Sequence, residues 1–243
     1  MSSKWLIVGF ITVMLFIAGS EYSYGSIIFE QDFEDYSSPS KDSPSEFGWQ
    51  GTAPELSALS IVNSPAYGTH SLRYIDSSSS EWYSPYHVFP AQTGLLKVSM
   101  DLQKERGDSY MIYLTQGSTD NGANIYMWEG EFSYYDGKNQ IYLRSASSGV
   151  WYHIDFLMNI PDNTYDIYIN GVLKKDDAPF RRDGNTYVTY IDRIKFGATS
   201  WGMLSGYIDN IEVSAVPEPA TFLLLGSGIL GLLGVAGARR RVI

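Results

Sequence analysis

Tyr165-Asp166-Ile167-Tyr168-Ile169-Asn170-Gly171-Val172-Leu173-Lys174 spells a strand, a turn and a second strand. Ile167 and Ile169 interleave with Asp166 and Tyr168, the period of two that sends successive side chains to opposite faces of a sheet. Asn-Gly supplies the two positive φ angles of a type I′ turn, so the chain is predicted to double back between Ile169 and Val172. Working outward, Leu96, Val98, Met100 and Leu102 alternate in the same way with Lys97, Ser99 and Asp101. Further strand-like runs cover 27–30, 71–75, 81–89, 110–115, 124–128, 131–135, 140–144, 150–157, 187–196 and 206–213. Asp136-Gly137 marks a second hairpin with a longer loop, and 37–51 and 77–80, rich in Ser, Pro and Gly, read as loops.

About a dozen short strands and no convincing amphipathic helix predict an all-β protein, an antiparallel β-sandwich of the jelly-roll kind. Composition agrees, with 15% aromatic residues and 19 tyrosines, a mixture that suits pleated, half-buried surfaces. Cysteine is absent, which excludes thiolate metal sites and Cys nucleophiles. The formal net charge is −10, and setting aside Lys4, Glu21 and the terminal arginines leaves the interior more acidic still. Nucleic acid is therefore not an expected partner, since phosphate binding needs a basic face.

The two ends are apolar and stand apart from the fold. Lys4, the apolar run from Trp5 to Ala18 and the small residues after it predict a signal peptide over 1–25. At the other end 220–238 carries no charge, is long enough for one transmembrane helix, and runs into Arg239, Arg240 and Arg241. The arginines belong on the cytoplasmic side, which puts the intervening β-sandwich domain, 26–215, outside the inner membrane.

Val216-Pro217-Glu218-Pro219 stands immediately before that apolar span. Pro-Glu-Pro, one span and a terminal arginine cluster resemble the PEP-CTERM sorting domain, here 216–243. The resemblance implies recognition by exosortase, a membrane processing enzyme, with cleavage near Pro-Glu-Pro and transfer to the cell surface or extracellular matrix of a Gram-negative bacterium that makes exopolysaccharide. Two prolines hold the segment extended and unpaired, a suitable substrate for such an enzyme. A weaker resemblance, carried by Phe29 to Glu34, Trp151 to Asp155, Tyr165 to Gly171, Ile191 to Gly197 and Tyr207 to Ile211, is to concanavalin A-like and laminin-G-like jelly rolls. It implies architecture and leaves activity open.

Three constellations bear on chemistry. Glu30, Asp32 and Glu34 resemble the Glu-x-Asp-x-Glu motif of a jelly-roll glycoside hydrolase family, although residues four apart on a flat strand are about 13 Å apart and would need a bulge to converge. A solvated acidic strand is the competing reading. Asp32, Glu34, Asp209 and Asn210 would meet if the first and last strands pair, and oxygen ligands of that kind suit calcium. Trp82, Trp128 and Trp201 are candidate platforms for sugar rings, as are Trp49, Tyr83, Tyr86, Tyr134 and Tyr135, with core burial the alternative for each. His70, His87 and His153 show no metal-ligand spacing. Together these predict a non-catalytic carbohydrate-binding or structural module of the envelope or exopolysaccharide matrix; the alternative is a glycan-cleaving hydrolase or lyase.

Overall fold

The computed structural model describes residues 25–36, 44–76, 83–106, 109–182, 186–197 and 204–217. In chain order the described strands are β1 (Ile27–Gln31), β2 (Trp49–Gln50), β3 (Leu59–Val62), β4 (Ser71–Asp76), β5 (Tyr86–Gln92), β6 (Leu95–Arg106), β7 (Ser109–Thr115) and β8 (Gly122–Trp128). They continue with β9 (Glu131–Tyr135), β10 (Gln140–Ser145), β11 (Trp151–Asn159), β12 (Thr164–Ile169), β13 (Val172–Pro179), β14 (Ile191–Gly197) and β15 (Leu204–Ala215). One short helix, α1 (Ala53–Ser57), precedes β3.

These strands make two antiparallel sheets. Sheet A runs β13-β12-β11-β6-β15-β4-β3, with β1 paired to β15; sheet B runs β10-β9-β8-β7-β14-β5-β2. The first and last strands do pair, Glu30 facing Glu212 and Gln31 facing Ile211. Strict alternation builds the core: along β11, Tyr152, Ile154, Phe156 and Met158 are buried while their neighbours are half-buried. Leu96, Val98, Met100 and Leu102 of β6 face the same interior as Ile112 and Leu114 of β7 and Ile125 of β8. Each such side chain contributes about 1.5–3 kcal/mol, so the inner faces dominate stability.

The Asn-Gly hairpin forms as its sequence requires, with Asn170 at φ 53, Gly171 at φ 72 and Ile169 paired to Val172. At Asp136-Gly137 the Asp136 carboxylate accepts the backbone N–H groups of Lys138 and Asn139, both at 2.7 Å, which closes the longer loop. Differences from the sequence reading lie where elements are short. A 3-10 turn at Pro44–Phe47 and the two-residue β2 sit inside the segment expected to be loop, anchored by Trp49, which is only 2% exposed. α1 and β3 have too few residues to show a period, although Thr52 and Glu55 form a capping box that starts the helix. β5 begins at Tyr86, and β14 at Ile191 because the chain from 187 to 190 pairs with no strand. Among the described residues no helix is long and apolar enough to cross a membrane; the expected signal peptide and the span over 220–238 lie outside them.

Candidate functional site

Ala123, Ile125 and Met127 of β8 point into the core, so Asn124, Tyr126 and Trp128 stand on the outer face of sheet B. Cross-strand pairing extends that face: Tyr126 is opposite Ser133 of β9, Ser133 is opposite Tyr142 of β10, and Asn124 is opposite Tyr113 of β7. At one end Trp128, Glu129, Glu131, Ser133, Gln140 and Tyr142 line a cleft of about 270 Å³. The turn beside it holds Glu129 at φ 47 and Gly130 at φ 80, so Trp128 and Glu131 pair directly and are fixed in relative position. Trp128 is 39% exposed and Tyr142 55%, although both belong to strands whose inward residues are packed. Two partly exposed rings beside two carboxylates and an amide offer an apolar contact surface together with acceptors and donors for hydroxyl groups.

The other end of the face is cationic and tyrosine-rich. After β13 leaves sheet A, Phe180 enters the core, and Arg181 joins the first residue of β8, accepting the Gly122 N–H at 3.1 Å and donating its own to Gly122 at 2.8 Å. The Arg181 guanidinium lies 5.7 Å from the Tyr113 ring centroid and 5.4 Å from that of Tyr135. The Tyr113 and Tyr126 hydroxyls are 3.1 Å apart, and burial, reinforced by the neighbouring phenol, pushes the Tyr113 hydroxyl well above the ordinary tyrosine range. Burial raises Tyr126 as well. Both groups therefore stay protonated near neutral pH and act as hydrogen-bond donors. Gly197 of β14 makes room for this arrangement, since a Cβ there would stand 2.6 Å from the Tyr113 ring.

The expected metal residues lie on the other sheet, and among the described residues Asp32, Glu34 and Asp209 do not bring three ligand oxygens within 4.8 Å of one another. β1 ends at Gln31 and the chain turns at buried Phe33, φ 61, so Glu30 stays on the strand while Glu34 leaves it. Glu34 accepts the N–H groups of Thr69 and His70 at 2.8 and 3.2 Å and the Thr69 hydroxyl, which holds its carboxyl below the usual range. Asp32 accepts the Glu34 N–H at 3.1 Å. Asp209, buried, accepts the N–H of Tyr67 at 3.0 Å and of Asn210 at 2.8 Å. Glu34, in the turn after β1, and Asp209, on β15, thus clamp the same segment, 67–70. Desolvation, then the charges of Glu34 and Asp101, push the Asp209 carboxyl up to about 6.

Sequence reasoning picked out Asn210 but not the other neighbours of Asp209. Across three adjacent strands of sheet A, His153 faces Asp101 and Asp101 faces Asp209. His153 Nδ1 is 2.8 Å from Asp101 and Nε2 3.4 Å from Asp155, while Asn210 donates to Asp101 at 2.7 Å. The hydrogen bonds to Asp101 and then Asp155 raise the His153 pKa to about 10. Asp166, Asp176 and Asp177, on the β12–β13 hairpin, bring carboxylate oxygens within 4.8 Å of one another. Neither group has a contiguous motif, because register creates both.

Of the candidate platforms, Trp128 is exposed, Trp49 and Tyr134 are core residues, and Tyr83, Tyr86 and Tyr135 are half-buried. Val216 and Pro217 follow β15 directly. Trp82, Trp201, Glu218, Pro219 and Arg239 to Arg241 lie outside the described residues.

Residues 215–241 match the PEP-CTERM protein-sorting motif, which implies an exported, surface-sorted protein processed at the membrane, of Gram-negative type. No curated protein matches the sequence. Among solved structures the chain is similar to a sialidase (TM-score 0.60, 15% identity, 79% of this chain and 19% of that one). It is also similar to a carbohydrate esterase from the Shiga toxin-encoding bacteriophage phi24B (TM-score 0.55, 11% identity, 79% of this chain and 100% of that one). An endo-β-1,4-glucuronan lyase from the fungus Trichoderma reesei has TM-score 0.52 and 14% identity over 78% of this chain and 96% of that one. The chain thus spans about a fifth of the sialidase and nearly all of the other two. At such identities the likeness establishes the fold, a β-sandwich of jelly-roll type.

Proposed function

We propose that the sandwich, residues 26–215, is a non-catalytic carbohydrate-binding module delivered to the cell surface or its exopolysaccharide matrix by the sorting segment 216–243. The observation that carries this reading is the cleft in which exposed Trp128 and Tyr142 stand beside Glu129, Glu131 and Gln140. Ring faces take the C–H faces of sugars, and the carboxylates and the amide take their hydroxyls. In the same reading an exosortase-type enzyme cuts near Val216-Pro217-Glu218-Pro219, with the span at 220–238 and its three arginines holding the precursor in the inner membrane. Calcium is the cofactor suited to the Glu34–Asp209 side of sheet A.

A glycan-cleaving hydrolase or lyase is the second reading, favoured by the Tyr113–Tyr126 hydroxyl pair beside Arg181. Binding is preferred because the exposed Trp128 and Tyr142 rings stand in a cleft, whereas the Tyr113 and Tyr126 hydroxyls are mostly buried and bonded to each other. The test is retention on a glycan array together with release of reducing or unsaturated ends, using the full-length protein in detergent with and without calcium. Retention without release is expected; release would establish the enzyme, and silence in both channels would point to a structural matrix protein.

A further inference from the structure

The outer face of sheet B differs in charge at its two ends, and the difference bears on which polymer the groove takes. The chain carries a net charge of −10, yet Arg181, Arg193 and Lys195 all stand on this face. Lys195 is bound to Asp120 at 2.6 Å, and Arg193 lies over Tyr86 with Asp192 at 3.4 Å. Arg181 is held differently. Its guanidinium is framed by the rings of Tyr113 and Tyr135, meets the Tyr113 hydroxyl at 3.4 Å and the Tyr126 hydroxyl, has Asp120 at 3.8 Å, and its side chain keeps 26% of its exposure. None of these contacts is a close two-pronged pairing with a carboxylate, the arrangement that the planar fork is built to make. The Gly122 bridge and the two rings fix the group before any ligand arrives, which lowers the ordering cost of binding.

Trp128 stands at the far end of β8, four residues or about 13 Å at strand rise from Asn124, the position level with the guanidinium, with Tyr126 between them on the same face. There Glu129 and Glu131 place negative charge beside the exposed rings, where a second carboxylate on the ligand would be repelled. Asn124 itself offers nothing, because its amide is spent on the Tyr135 backbone at 2.8 and 2.9 Å.

Resting on the carbohydrate-binding reading, we infer that the groove is bipolar and selects a heteropolymer: Arg181 receives the carboxylate of an acidic sugar, and the Trp128–Tyr142 cleft takes a neutral sugar of the same chain. A neutral polymer uses only the cleft. A polymer with a carboxylate on every sugar meets Glu129 and Glu131.

The test compares binding of the full-length protein in detergent to gellan, in which one uronate is flanked by neutral sugars, to carboxyl-reduced gellan, and to alginate, charged at every residue. Gellan is expected to bind about tenfold more tightly than its reduced form, the worth of one charge-assisted contact, and more tightly than alginate. Arg181→Met should bring gellan down to the level of the reduced polymer while leaving the reduced polymer's binding and the melting temperature unchanged. Trp128→Ala should weaken both. Equal binding of gellan and reduced gellan, with Trp128→Ala still weakening both, overturns the bipolar groove and leaves carbohydrate binding standing. Alginate binding tightest, or Arg181→Met weakening the reduced polymer equally, also overturns it. Failure of all three polymers to bind removes the carbohydrate reading itself.

Discussion

Gly122 and Arg181 exchange both of their backbone hydrogen bonds, at 3.1 and 2.8 Å, and so stitch the segment that follows sheet A to the first residue of β8 in sheet B. Gly122 has φ +138, and a Cβ there would fall 2.0 Å from the Leu114 carbonyl oxygen. Gly122→Ala is therefore expected to destabilise the protein by about 2–5 kcal/mol, from backbone strain and overpacking together, as read by urea unfolding. It should also displace Arg181. A variant as stable as the wild type would show that the close approach has no energetic weight.

Removal of the exposed rings should separate binding from stability. Tyr142→Ala is expected to change unfolding free energy by only about 0.5 kcal/mol, because more than half of Tyr142 is open to solvent, and Trp128→Ala, 39% exposed, by about 1–2 kcal/mol. Trp49→Ala, by contrast, empties a core position and should cost about 3–5 kcal/mol. Equal destabilisation by all three variants would mean that the cleft rings are structural.

His153 should remain an imidazolium far above the ordinary histidine range. Its folded pKa, about 10, exceeds its unfolded value, so its contribution to stability is complete below about pH 6.5 and is lost as pH rises toward 10. Histidine NMR titration and unfolding between pH 6 and 10 would read this directly. In His153→Gln that loss of stability across the window should disappear. An ordinary titration near 6.5 would contradict the clamp between Asp101 and Asp155.

Asp209 carries the opposite sign from the usual paired carboxylate. Its folded pKa, about 6, lies above its unfolded value, so the native state holds the extra proton and stability falls as pH rises from about 4 to 6. If calcium binds at Glu34 and Asp209, millimolar calcium should lower the Asp209 titration seen by carboxyl NMR and raise the melting temperature near neutral pH. No change in either would remove calcium from this part of sheet A.

Pro217→Ala with Pro219→Ala should leave unprocessed precursor in the inner membrane, visible by fractionation and blotting. Normal maturation of the double variant would sink the processing assignment.

Much of the sandwich was legible because its strands are long enough to express a period. The alternation in β11 maps onto buried and half-buried positions, that in β6 sends Leu96, Val98, Met100 and Leu102 into the core although Ser99 and Asp101 between them are buried too, and the Asn170-Gly171 turn fixes the β12–β13 register. β2 and β3 escaped because two and four residues carry no period; tertiary contacts of Trp49 and Leu59 decide them. The groove was only partly legible. Trp128 could be named as a candidate, but its exposure follows from the pleat of β8 and from the tight turn at Glu129-Gly130, where a Glu at positive φ gives no warning in sequence. Arg181 gave no signal, since its place depends on a single bridge to a glycine distant in the chain. The His153–Asp101–Asp209 row was hidden for the same reason: register across three strands assembles it, and no motif records it.

The measurement that tests the central claim most directly is affinity electrophoresis of the full-length protein and of Trp128→Ala through detergent gels cast with gellan, with the polymer's chain ends counted afterwards. Retardation of the wild type, loss of that retardation in Trp128→Ala and an unchanged number of ends are expected of a binding module that uses this cleft. Equal migration of the two proteins, or shortened polymer, would contradict it.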